Sequence, residues 1–386
     1  MPRKIIHLDL DAFFCAVEEL ADASLQGKPF AVGGRPEARG VVSSCSYAAR
    51  ALGIHSAMPM RQALQICPQL RIVPPDHHRY SELSGQVMQY LCDLSPLVEP
   101  ISIDEAFVDI SDLAETAEQV ARQLQQKIWD ELHLPCSVGI ASNKLVAKIA
   151  TDVGKKAVRG PDYPRALTRV PAGQEAEFLA PLSASMLWGV GKKTEASLAA
   201  LGIHTIGDLA RWPEKDLEKR FGLHGVDLAR HARGLDERPV VTEHEVKSIS
   251  QEITFAQDVK EDEQLEATLK ALAEHVGRSL RQEHLAGSTV KLKLRWTDFT
   301  TLTRQVTLPA PTDQGEEIYA AALALLHKAR PPGRYVRLIG VGISGLGAPV
   351  RQLELWGQAA EKQRKLQTVL DELQDKYGKN VIGKGK

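Results

Sequence analysis

The sequence has no long apolar run and few cysteines. Hydrophobic residues make up 43% and charged residues 25% of its 386 positions, the balance of an ordinary globular protein. No apolar stretch approaches the ~20 residues that a helix needs to span a bilayer. The chain is therefore expected neither to cross a membrane nor to have a membrane partner.

The five cysteines are odd in number, widely spread and never form a Cys-x-x-Cys pair. This pattern favours neither a disulfide framework nor a zinc site. The first apolar stretch contains Asp9, Asp11 and Glu18, so it does not have the pattern of an export leader. We therefore expect a protein of the reducing cytoplasm.

The sequence also lacks a large excess of positive or negative charge, since its formal net charge is only -1. Proteins that bind nucleic acids usually carry an excess of Lys and Arg, because phosphate binding is driven by counterion release. A chain of this length exceeds the ~250 residues at which single cores stop growing, so several domains are expected. A multidomain chain can concentrate basic residues on one inner groove, so the low net charge does not exclude a nucleic-acid partner.

The order of patterned segments predicts a mixed α and β chain. The first half has a buried strand at residues 4–10 followed by a helix, and a strand in which Ile101 and Ile103 alternate with polar residues. Four further helices are predicted at about residues 46–52, 80–94, 114–132 and 142–153, the last capped by Ser142. A small helical region follows residue 164, and beyond a polar linker comes the order strand, helix, strand, strand, helix, strand.

Acidic residues follow predicted strands at two distant places. Asp9 and Asp11 end the first strand, and Asp104 and Glu105 lie at the tip of a strand-turn-strand unit. Carboxylates at strand ends can converge, and phosphoryl transfer to a hydroxyl uses hard oxygen ligands around two Mg²⁺ ions about 4 Å apart. Each motif taken alone is more typical of acids that cap turns.

Four segments, in this order and spacing, closely resemble the Y-family DNA polymerases of the DNA polymerase IV type: HLDLDAFFCAVEE, SSCSYAARALGI, SIDEAFVDIS and SVGIASNKLVAKIA. Four ordered motifs with a downstream helix-hairpin-helix are far more specific than any one of them. The resemblance implies an α+β multidomain fold of the right-hand polymerase kind. Its expected parts are a palm (antiparallel sheet plus helices) at 1–166 with small fingers inserted at about 19–77, a helix-hairpin-helix thumb at 167–235, a linker at 236–246, an α+β little finger at 247–350 and a tail at 351–386.

The resemblance also implies the chemistry. Asp9, Asp104 and Glu105 match the family's metal-binding carboxylates for two Mg²⁺ ions per active site, and the Leu10 carbonyl would complete one ion's shell. Asp11 matches no family ligand, so we expect a local structural role for it. The implied activity is template-directed addition of deoxynucleotides to a primer 3′ end, at low fidelity and across lesions. No further acidic cluster indicates a proofreading exonuclease.

Tyr47 and Arg50 are three apart on a predicted helix and share a face, and the guanidinium fork suits phosphate oxygens. The resemblance implies that they grip the triphosphate. Ser44 aligns with a further phosphate contact, although a serine before a helix can equally be a cap. Lys155 matches the family's phosphate-binding lysine by an ungapped count from AKIA. Because KKAVRG replaces the usual Lys-Pro-Asn-Gly, Lys156 remains an alternative, and both could be solvated loop charges.

Phe13 and Phe14 directly follow the first acids. Both are candidates for the substrate pocket, and each could equally be a core aromatic. By the resemblance, Phe14 matches the steric gate, an aromatic ring under the sugar that a 2′-hydroxyl would strike.

Two later segments are candidates for DNA binding. The segment WGVGKKTEASLAALGI resembles a helix-hairpin-helix, whose glycine N–H groups can contact phosphates without reading sequence; its candidates are Gly189, Gly191, Lys192 and Lys193. An ordinary helical turn with surface lysines is the alternative. In TVKLKLRW, basic residues alternate with apolar ones, which places them on one face of a strand: Lys291, Lys293 and Arg295. Such charges are usually only solvated, so this assignment depends on the family's little finger.

Near the end, QLELW resembles the peptide by which bacterial polymerases dock onto the sliding clamp, with Trp in place of the commoner Phe: Gln352, Leu353, Leu355 and Trp356. Five-residue matches also arise by chance. The expected partners are primer-template DNA, deoxynucleoside triphosphates and the bacterial sliding clamp, and the chain is expected to be a monomer.

Two other functions compete with this prediction. A non-catalytic relative that acts as a DNA- or clamp-binding adaptor would have lost the acids, and all three are present. Another palm-type enzyme, such as a nucleotidyl cyclase, could share the paired acids. It would not need the helix-hairpin-helix, the basic-faced strand or the clamp-like peptide.

Overall fold

The computed structural model describes residues 2–158, 160, 162–243 and 245–349, together with residues 369 and 373. The chain divides into two compact units, residues 1–244 and residues 245–386. This division falls within the stretch that the sequence predicts as a linker. Within the described residues, no helix is long and apolar enough to cross a membrane.

Short strands and helices alternate along the first unit. In chain order they are β1 (Ile5–Leu10), α1 (Phe13–Ala21), β2 (Phe30–Gly33), β3 (Val42–Cys45), α2 (Tyr47–Ala51), α3 (Met60–Ile66), β4 (Arg71–Val73), α4 (His77–Leu94), β5 (Val98–Pro100), β6 (Glu105–Asp109), α5 (Ala117–Leu132), β7 (Cys136–Ala141), α6 (Lys144–Ala157), β8 (Leu167–Arg169), α7 (Glu175–Leu179), α8 (Lys192–Ala199), α9 (Ile206–Arg211), α10 (Glu214–Phe221) and α11 (Leu223–Ala232).

The central sheet of this unit has the strand order β5-β6-β1-β7-β8. Its pairs are antiparallel except that β8 runs parallel to β7. The middle strand β1 is buried along its whole length. Because side chains alternate between the faces of a strand, Ile6, Leu8 and Leu10 enter one core, whereas Ile5 packs in a second core that includes residues of α6. The remaining odd positions of β1, His7 and Asp9, therefore face α6.

Helix α6 is held firmly at its N-terminus. The Asn143 side chain accepts a hydrogen bond from the Val146 N–H (3.0 Å) and donates one to the Gly234 carbonyl (2.9 Å). The buried Asp236 carboxylate accepts from the Leu145 N–H at 3.1 Å. Such caps satisfy N–H groups that have no partner inside the helix, and here they fix the helix relative to the sheet that it covers.

A smaller sheet, in the order β3-β2-β4, lies in the region predicted as fingers. It buries its own apolar cluster, which includes Ala31, Val42, Ala49, Met60 and Ala63. Ser46 caps α2, since its Oγ accepts a hydrogen bond from the Ala49 N–H at 3.2 Å. Helices α7 to α11 follow. Their apolar residues, including Leu179, Leu198 and Leu228, belong to the second core.

The second unit has the order β9 (Ser248–Val259), α12 (Asp262–Gln282), β10 (Ala286–Trp296), β11 (Thr301–Thr312), α13 (Gly315–Ala329) and β12 (Val336–Gly347). Its strands form an antiparallel sheet in the order β11-β10-β12-β9. Apolar residues of α12 and α13 pack in one core with Val290, Leu292 and Leu294 of β10. One face of the sheet is thereby covered, and the basic residues of β10 lie on the other. The predicted element order is confirmed.

Several predicted elements differ in detail. Residues 101–104 form a bend and not a strand, because the Ser102 hydroxyl accepts hydrogen bonds from the N–H groups of Asp104 (3.2 Å) and Glu105 (3.1 Å). Local bonds of this kind compete with a strand ladder. Helix α5 begins at Ala117, where Thr116 provides a capping box, and not near residue 114.

The cap of α6 is Asn143 and not the predicted Ser142. The Ser142 hydroxyl instead donates a hydrogen bond to Glu175. Strand β8 also makes the central sheet mixed, where the sequence predicts an antiparallel sheet for the palm, and carries it past the boundary predicted at residue 166.

Candidate active site

One cavity of about 270 Å³ opens beside the end of β1. Its lining brings together eight of the residues predicted for the site: Asp9, Leu10, Phe13, Phe14, Ser44, Arg50, Asp104 and Lys155. They come from strands β1 and β3, from the bend before β6 and from helices α1, α2 and α6. Residues that are distant in sequence are therefore neighbours here.

The three acids are joined by strand pairing. Asp9 on β1 lies directly opposite Glu105 on β6, and the Leu10 N–H donates a hydrogen bond to the Asp104 carbonyl at 2.9 Å. Ala12 adopts a left-handed conformation, with φ 44° and ψ 46°, between β1 and α1. The acids of β1 and of the chain at the start of β6 thus lie at the same end of the central sheet.

Each acid already has a partner in this structure. Lys155 Nζ lies 2.5 Å from Asp9 Oδ1, and Lys148 Nζ lies 2.7 Å from Glu105 Oε2. The Ser102 hydroxyl donates to Asp104 Oδ1 at 2.5 Å. Across the described residues, no three acidic, His or Cys side chains converge closely enough to form a metal-binding group. Each ammonium group thus contacts one oxygen of its carboxylate.

The pKa values reflect this crowding. Burial raises the pKa of the Asp9 carboxyl above its ordinary value, Lys155 opposes the shift, and the nearby Glu105 and Asp104 charges add to it. Burial would raise the pKa of Glu105 as well, but the nearby His7 and the Lys148 ammonium, which donates to Oε2 at 2.7 Å, hold it below its ordinary range. Burial disfavours a charged Lys155, yet the carboxylates of Asp9 and Asp11 raise its pKa. Lys155 therefore stays protonated.

The donor set fits a hard divalent cation. Carboxylate oxygens from Asp9, Asp104 and Glu105 and the backbone carbonyl of Leu10 are the ligand types that Mg²⁺ prefers. The burial of Asp9 among other carboxylates means that a cation near it is favourable. Binding of such an ion requires that Lys155 move away from Asp9.

Asp11 differs from Asp9 although it is only two residues away. Its side chain is fully buried and accepts hydrogen bonds from the Ser137 hydroxyl (2.8 and 3.0 Å) and the Arg165 N–H (3.0 Å). Lys155 Nζ lies 3.4 Å from its Oδ1. These contacts link β1 to β7 and to the chain before β8, which is the structural role that the sequence predicts.

Two of the phosphate-binding candidates, Ser44 and Arg50, line the cavity from the region predicted as fingers, whereas Tyr47 is not part of the lining. The Arg50 guanidinium lies 4.8 Å from the centre of the Tyr47 ring, and its Nε donates to the Cys45 carbonyl at 3.2 Å. The Tyr47 hydroxyl is buried without a hydrogen-bond partner in the described structure, and burial raises its pKa to about 12. Ser44 is on β3 and lines the cavity. The cap of α2 is Ser46, so the alternative role of Ser44 as a cap is wrong.

Lys155 and Lys156 are distinguished by the direction of their side chains. Lys155 lines the cavity, whereas Lys156 is exposed on the last turn of α6. The structure thus favours the ungapped count over its alternative, despite the unusual KKAVRG sequence.

Phe13 and Phe14 have different surroundings. Phe13 is 2% exposed and belongs to the first core. Phe14 is half-buried, and its ring stacks on Tyr80 with a centroid distance of 4.1 Å and an interplanar angle of 12°. Stacking on the buried Tyr80 holds the Phe14 ring at the wall of the cavity.

The DNA-binding candidates are all accessible. In the first unit, the turn before α8 has Gly189 with φ 95° and Gly191 as the N-cap, and both glycines are exposed along with Lys192 and Lys193. In the second unit, Lys293 Nζ pairs with Glu252 at 2.6 Å and Arg295 Nε donates to Thr301 at 2.9 Å, whereas Lys291 is exposed opposite Gln305. The clamp-like peptide, residues 352–356, lies outside the described residues.

Four side chains around the acids were not identified from the sequence: His7, Ser102, Lys148 and Thr151. Lys148 and Thr151 share the face of α6 with Lys155, at helical spacings of three, four and seven residues. That spacing, set against the acids of β1, is the signal that could have revealed them.

Comparison with known proteins agrees with the predicted family. Residues 8–152 match the impB/mucB/samB family, and residues 246–355 match the C-terminal domain of the same family. A DNA polymerase IV from Dehalococcoides mccartyi strain CBDB1 is 41% identical, with 100% of this chain and 97% of that protein covered.

Solved structures give the same result. A Y-family DNA polymerase chimera of Dbh and Dpo4 has a TM-score of 0.79 and 25% identity, with 90% of this chain and all of that chain covered. An insertion ternary complex of Dbh DNA polymerase has a TM-score of 0.62 and 26% identity over the same shares. The predictions of the fold and of a DNA-directed DNA polymerase of the translesion type are confirmed. Enzymes of this family are metal-dependent nucleotidyltransferases, and this chain belongs to it: it is a member of the Y family of DNA polymerases, of the DNA polymerase IV type.

Proposed function

We propose that this polymerase adds deoxynucleotides to a primer 3′ end with two Mg²⁺ ions held by Asp9, Asp104 and Glu105. When bound, the ions activate the attacking hydroxyl oxygen and stabilise the charge on the triphosphate. The Leu10 carbonyl completes the ligand set. Side chains of the protein bind the triphosphate, orient the substrate and exclude ribonucleotides.

The observation that carries this proposal is the composition of a single cavity. Acids such as Asp9 can bind a cation there, and two basic side chains, one of them Arg50, can bind phosphate. Phe14 provides an aromatic wall against which a sugar can lie. An adaptor would need none of these groups in one place. We therefore do not favour a purely DNA- or clamp-binding role.

Arg50, Tyr47 and Lys155 bind the triphosphate, and Ser44 adds a hydroxyl contact. The unpartnered Tyr47 hydroxyl supports this role, because a buried polar atom without a partner costs about 1–3 kcal/mol, which a phosphate oxygen would offset. Lys155 exchanges its Asp9 contact for the phosphates when the nucleotide and its metal enter. The Lys155 ammonium thus neutralises first the Asp9 carboxylate and later the phosphates.

Phe14 excludes ribonucleotides by closing the cavity under the sugar, and Phe13 supports it from the core. The stack on Tyr80 limits how far the Phe14 ring can turn away from a 2′-hydroxyl. Template DNA contacts the turn at Gly189 and Gly191 with Lys192 and Lys193, and the open face of the second unit at Lys291, Lys293 and Arg295. The division into palm, fingers, thumb and little finger follows the predicted boundaries, with β8 added to the palm.

The chain binds the bacterial sliding clamp through Gln352, Leu353, Leu355 and Trp356, and it acts as a monomer. Two apolar anchors and a Gln are suited to fill a groove on such a partner.

Primer extension tests the proposed mechanism. Wild-type protein and Asp104→Asn are compared on an undamaged template and on one with an abasic site, with Mg²⁺ and all four nucleotides. Wild type extends both primers, and Asp104→Asn extends neither while it still binds primer-template. Extension by Asp104→Asn at the wild-type rate would remove that carboxylate from the mechanism.

A further inference from the structure

Helix α6 presents a column of polar side chains to the sheet, and each member has a partner there. Lys144, Lys148, Thr151 and Lys155 follow at spacings of four, three and four residues, which places them on one face of the helix. Lys144 pairs with Glu99 at 2.7 Å, Lys148 with Glu105 at 2.7 Å, and Lys155 with Asp9 at 2.5 Å. Thr151 lies between the last two lysines and meets His7 at 2.9 Å.

The two lysines that meet site acids are not equivalent. Lys155 lines the cavity and can follow a nucleotide, but Lys148 does not belong to the cavity lining. The Lys148 side chain is 19% exposed, and its partner Glu105 is 23% exposed. Lys148 is therefore placed to stay on Glu105 throughout the reaction, while Lys155 changes partners.

Only one oxygen of Glu105 is held. Lys148 Nζ lies 2.7 Å from Oε2, and His7 Nε2 lies 3.9 Å from the same atom. His7 is fully buried and is fixed on its other side by Thr151 and by the Phe107 ring, whose centroid is 4.9 Å away. No side chain of the described residues donates to Oε1. The carboxylate is thus anchored through one oxygen, with the other available.

We propose that Lys148 is a positioning residue for the Glu105 carboxylate: it holds Oε2, so that Oε1 alone binds the metal. This inference rests on the proposed metal site. Outer partners of ligating carboxylates orient their ligands, and their loss typically changes metal affinity or activity by about 10–100-fold. A lysine beside a metal ligand also repels the metal, so its removal affects affinity and turnover in opposite directions.

The test compares Lys148→Met and Lys148→Arg with wild type in full-length protein. Single-nucleotide incorporation at saturating primer-template gives kcat and the KM for the nucleotide. Lys148→Met lowers kcat by about 10–100-fold and leaves KM within about threefold, since the triphosphate contacts are intact. Lys148→Arg, which keeps a donor and the charge, recovers most of kcat.

Metal binding is measured without turnover, by electron paramagnetic resonance with Mn²⁺ added to the protein alone. Lys148→Met binds Mn²⁺ about fivefold more tightly than wild type, because one nearby positive charge is gone and Oε2 is free. A lysine that only supports the fold predicts the opposite, namely weaker Mn²⁺ binding together with lower kcat.

Lys144→Met is the matched control. Lys144 lies on the same face of α6 as Lys148 and at the same distance, 2.7 Å, from a carboxylate, but its partner Glu99 is not a site acid. It lowers thermal stability and leaves kcat and Mn²⁺ affinity within about twofold for the folded protein. If Lys148→Met keeps the wild-type kcat, or binds Mn²⁺ more weakly, the inference is wrong. If wild type itself incorporates no nucleotide, it is the proposed function that fails.

Discussion

Asp9 and Asp11 are neighbours in sequence, and their substitution should have opposite effects. Asp11→Ala removes a buried carboxylate and leaves the Arg165 N–H and the Ser137 hydroxyl without their acceptor. Each abandoned buried donor costs about 1–3 kcal/mol. Two such donors are left, so we expect Asp11→Ala to destabilise the first unit by about 2–6 kcal/mol.

Asp9→Asn should abolish nucleotide incorporation without this loss of stability. Burial raises the pKa of Asp9, so the charged form is disfavoured in the folded protein. A raised folded pKa contributes stability at low pH that is lost as the pH rises through that pKa. In metal-free buffer, Asp9→Asn should therefore be at least as stable as wild type at neutral pH. Its advantage should grow from about pH 4, the ordinary range of an aspartate, to the raised pKa of about 7, and level off above it.

Both effects are measured by urea unfolding followed by circular dichroism, with EDTA present. Asp11→Asn is the control, because it keeps the shape of the side chain and one acceptor, and it should lie between Asp11→Ala and wild type. If Asp11→Ala costs less than about 1 kcal/mol, the lower limit for one unsatisfied buried donor, its hydrogen bonds do not stabilise the first unit as proposed. If Asp9→Asn destabilises as much as Asp11→Ala, the proposed difference between the two carboxylates is wrong.

Three further predictions concern substrates and partners. Phe14→Leu should relax sugar discrimination by about 10–200-fold, the range for small steric differences in a pocket; unchanged ribonucleotide incorporation in primer extension would remove the steric gate. Lys291→Ala should lower the slope of log affinity against log salt by about 0.9 for duplex DNA, whereas the paired Lys293 should matter less; equal slopes for wild type and Lys291→Ala would place that residue outside the DNA contact. The double substitution Leu355→Ala and Trp356→Ala should abolish stimulation of synthesis by the sliding clamp at unchanged basal activity, and retained stimulation would contradict the docking peptide.

Much of the fold could be predicted from periodicity and caps. The helix at Asp262–Gln282 and the alternating strand that includes Lys291 have strong periods, and both occur in the predicted order. The bend at residues 101–104 was missed because Ile101 and Ile103 imitate a strand, while hydrogen bonds to the Ser102 hydroxyl decide the conformation. Such local bonds leave no periodic signal.

The acids of the site were predictable because their motifs are specific, but their partners were not. Lys148 looks like any lysine of an amphipathic helix until the register between α6 and β1 is known. Likewise, Asp9 and Asp11 have similar sequence surroundings, and only the position of Ser137 and Arg165 separates a cavity acid from a buried one. Pairings between distant elements depend on packing, which a single sequence does not contain.

The proposed metal site for nucleotide transfer depends on the carboxylates of Asp9, Asp104 and Glu105. Single-turnover incorporation of one correct nucleotide by Glu105→Gln, with primer-template affinity measured in parallel, tests whether nucleotide transfer needs such a carboxylate. Loss of a group that acts mainly in the transition state should lower the incorporation rate by at least about 10³-fold with DNA affinity unchanged. A rate within tenfold of the wild-type rate would show that Glu105 is not a ligand of the metal site.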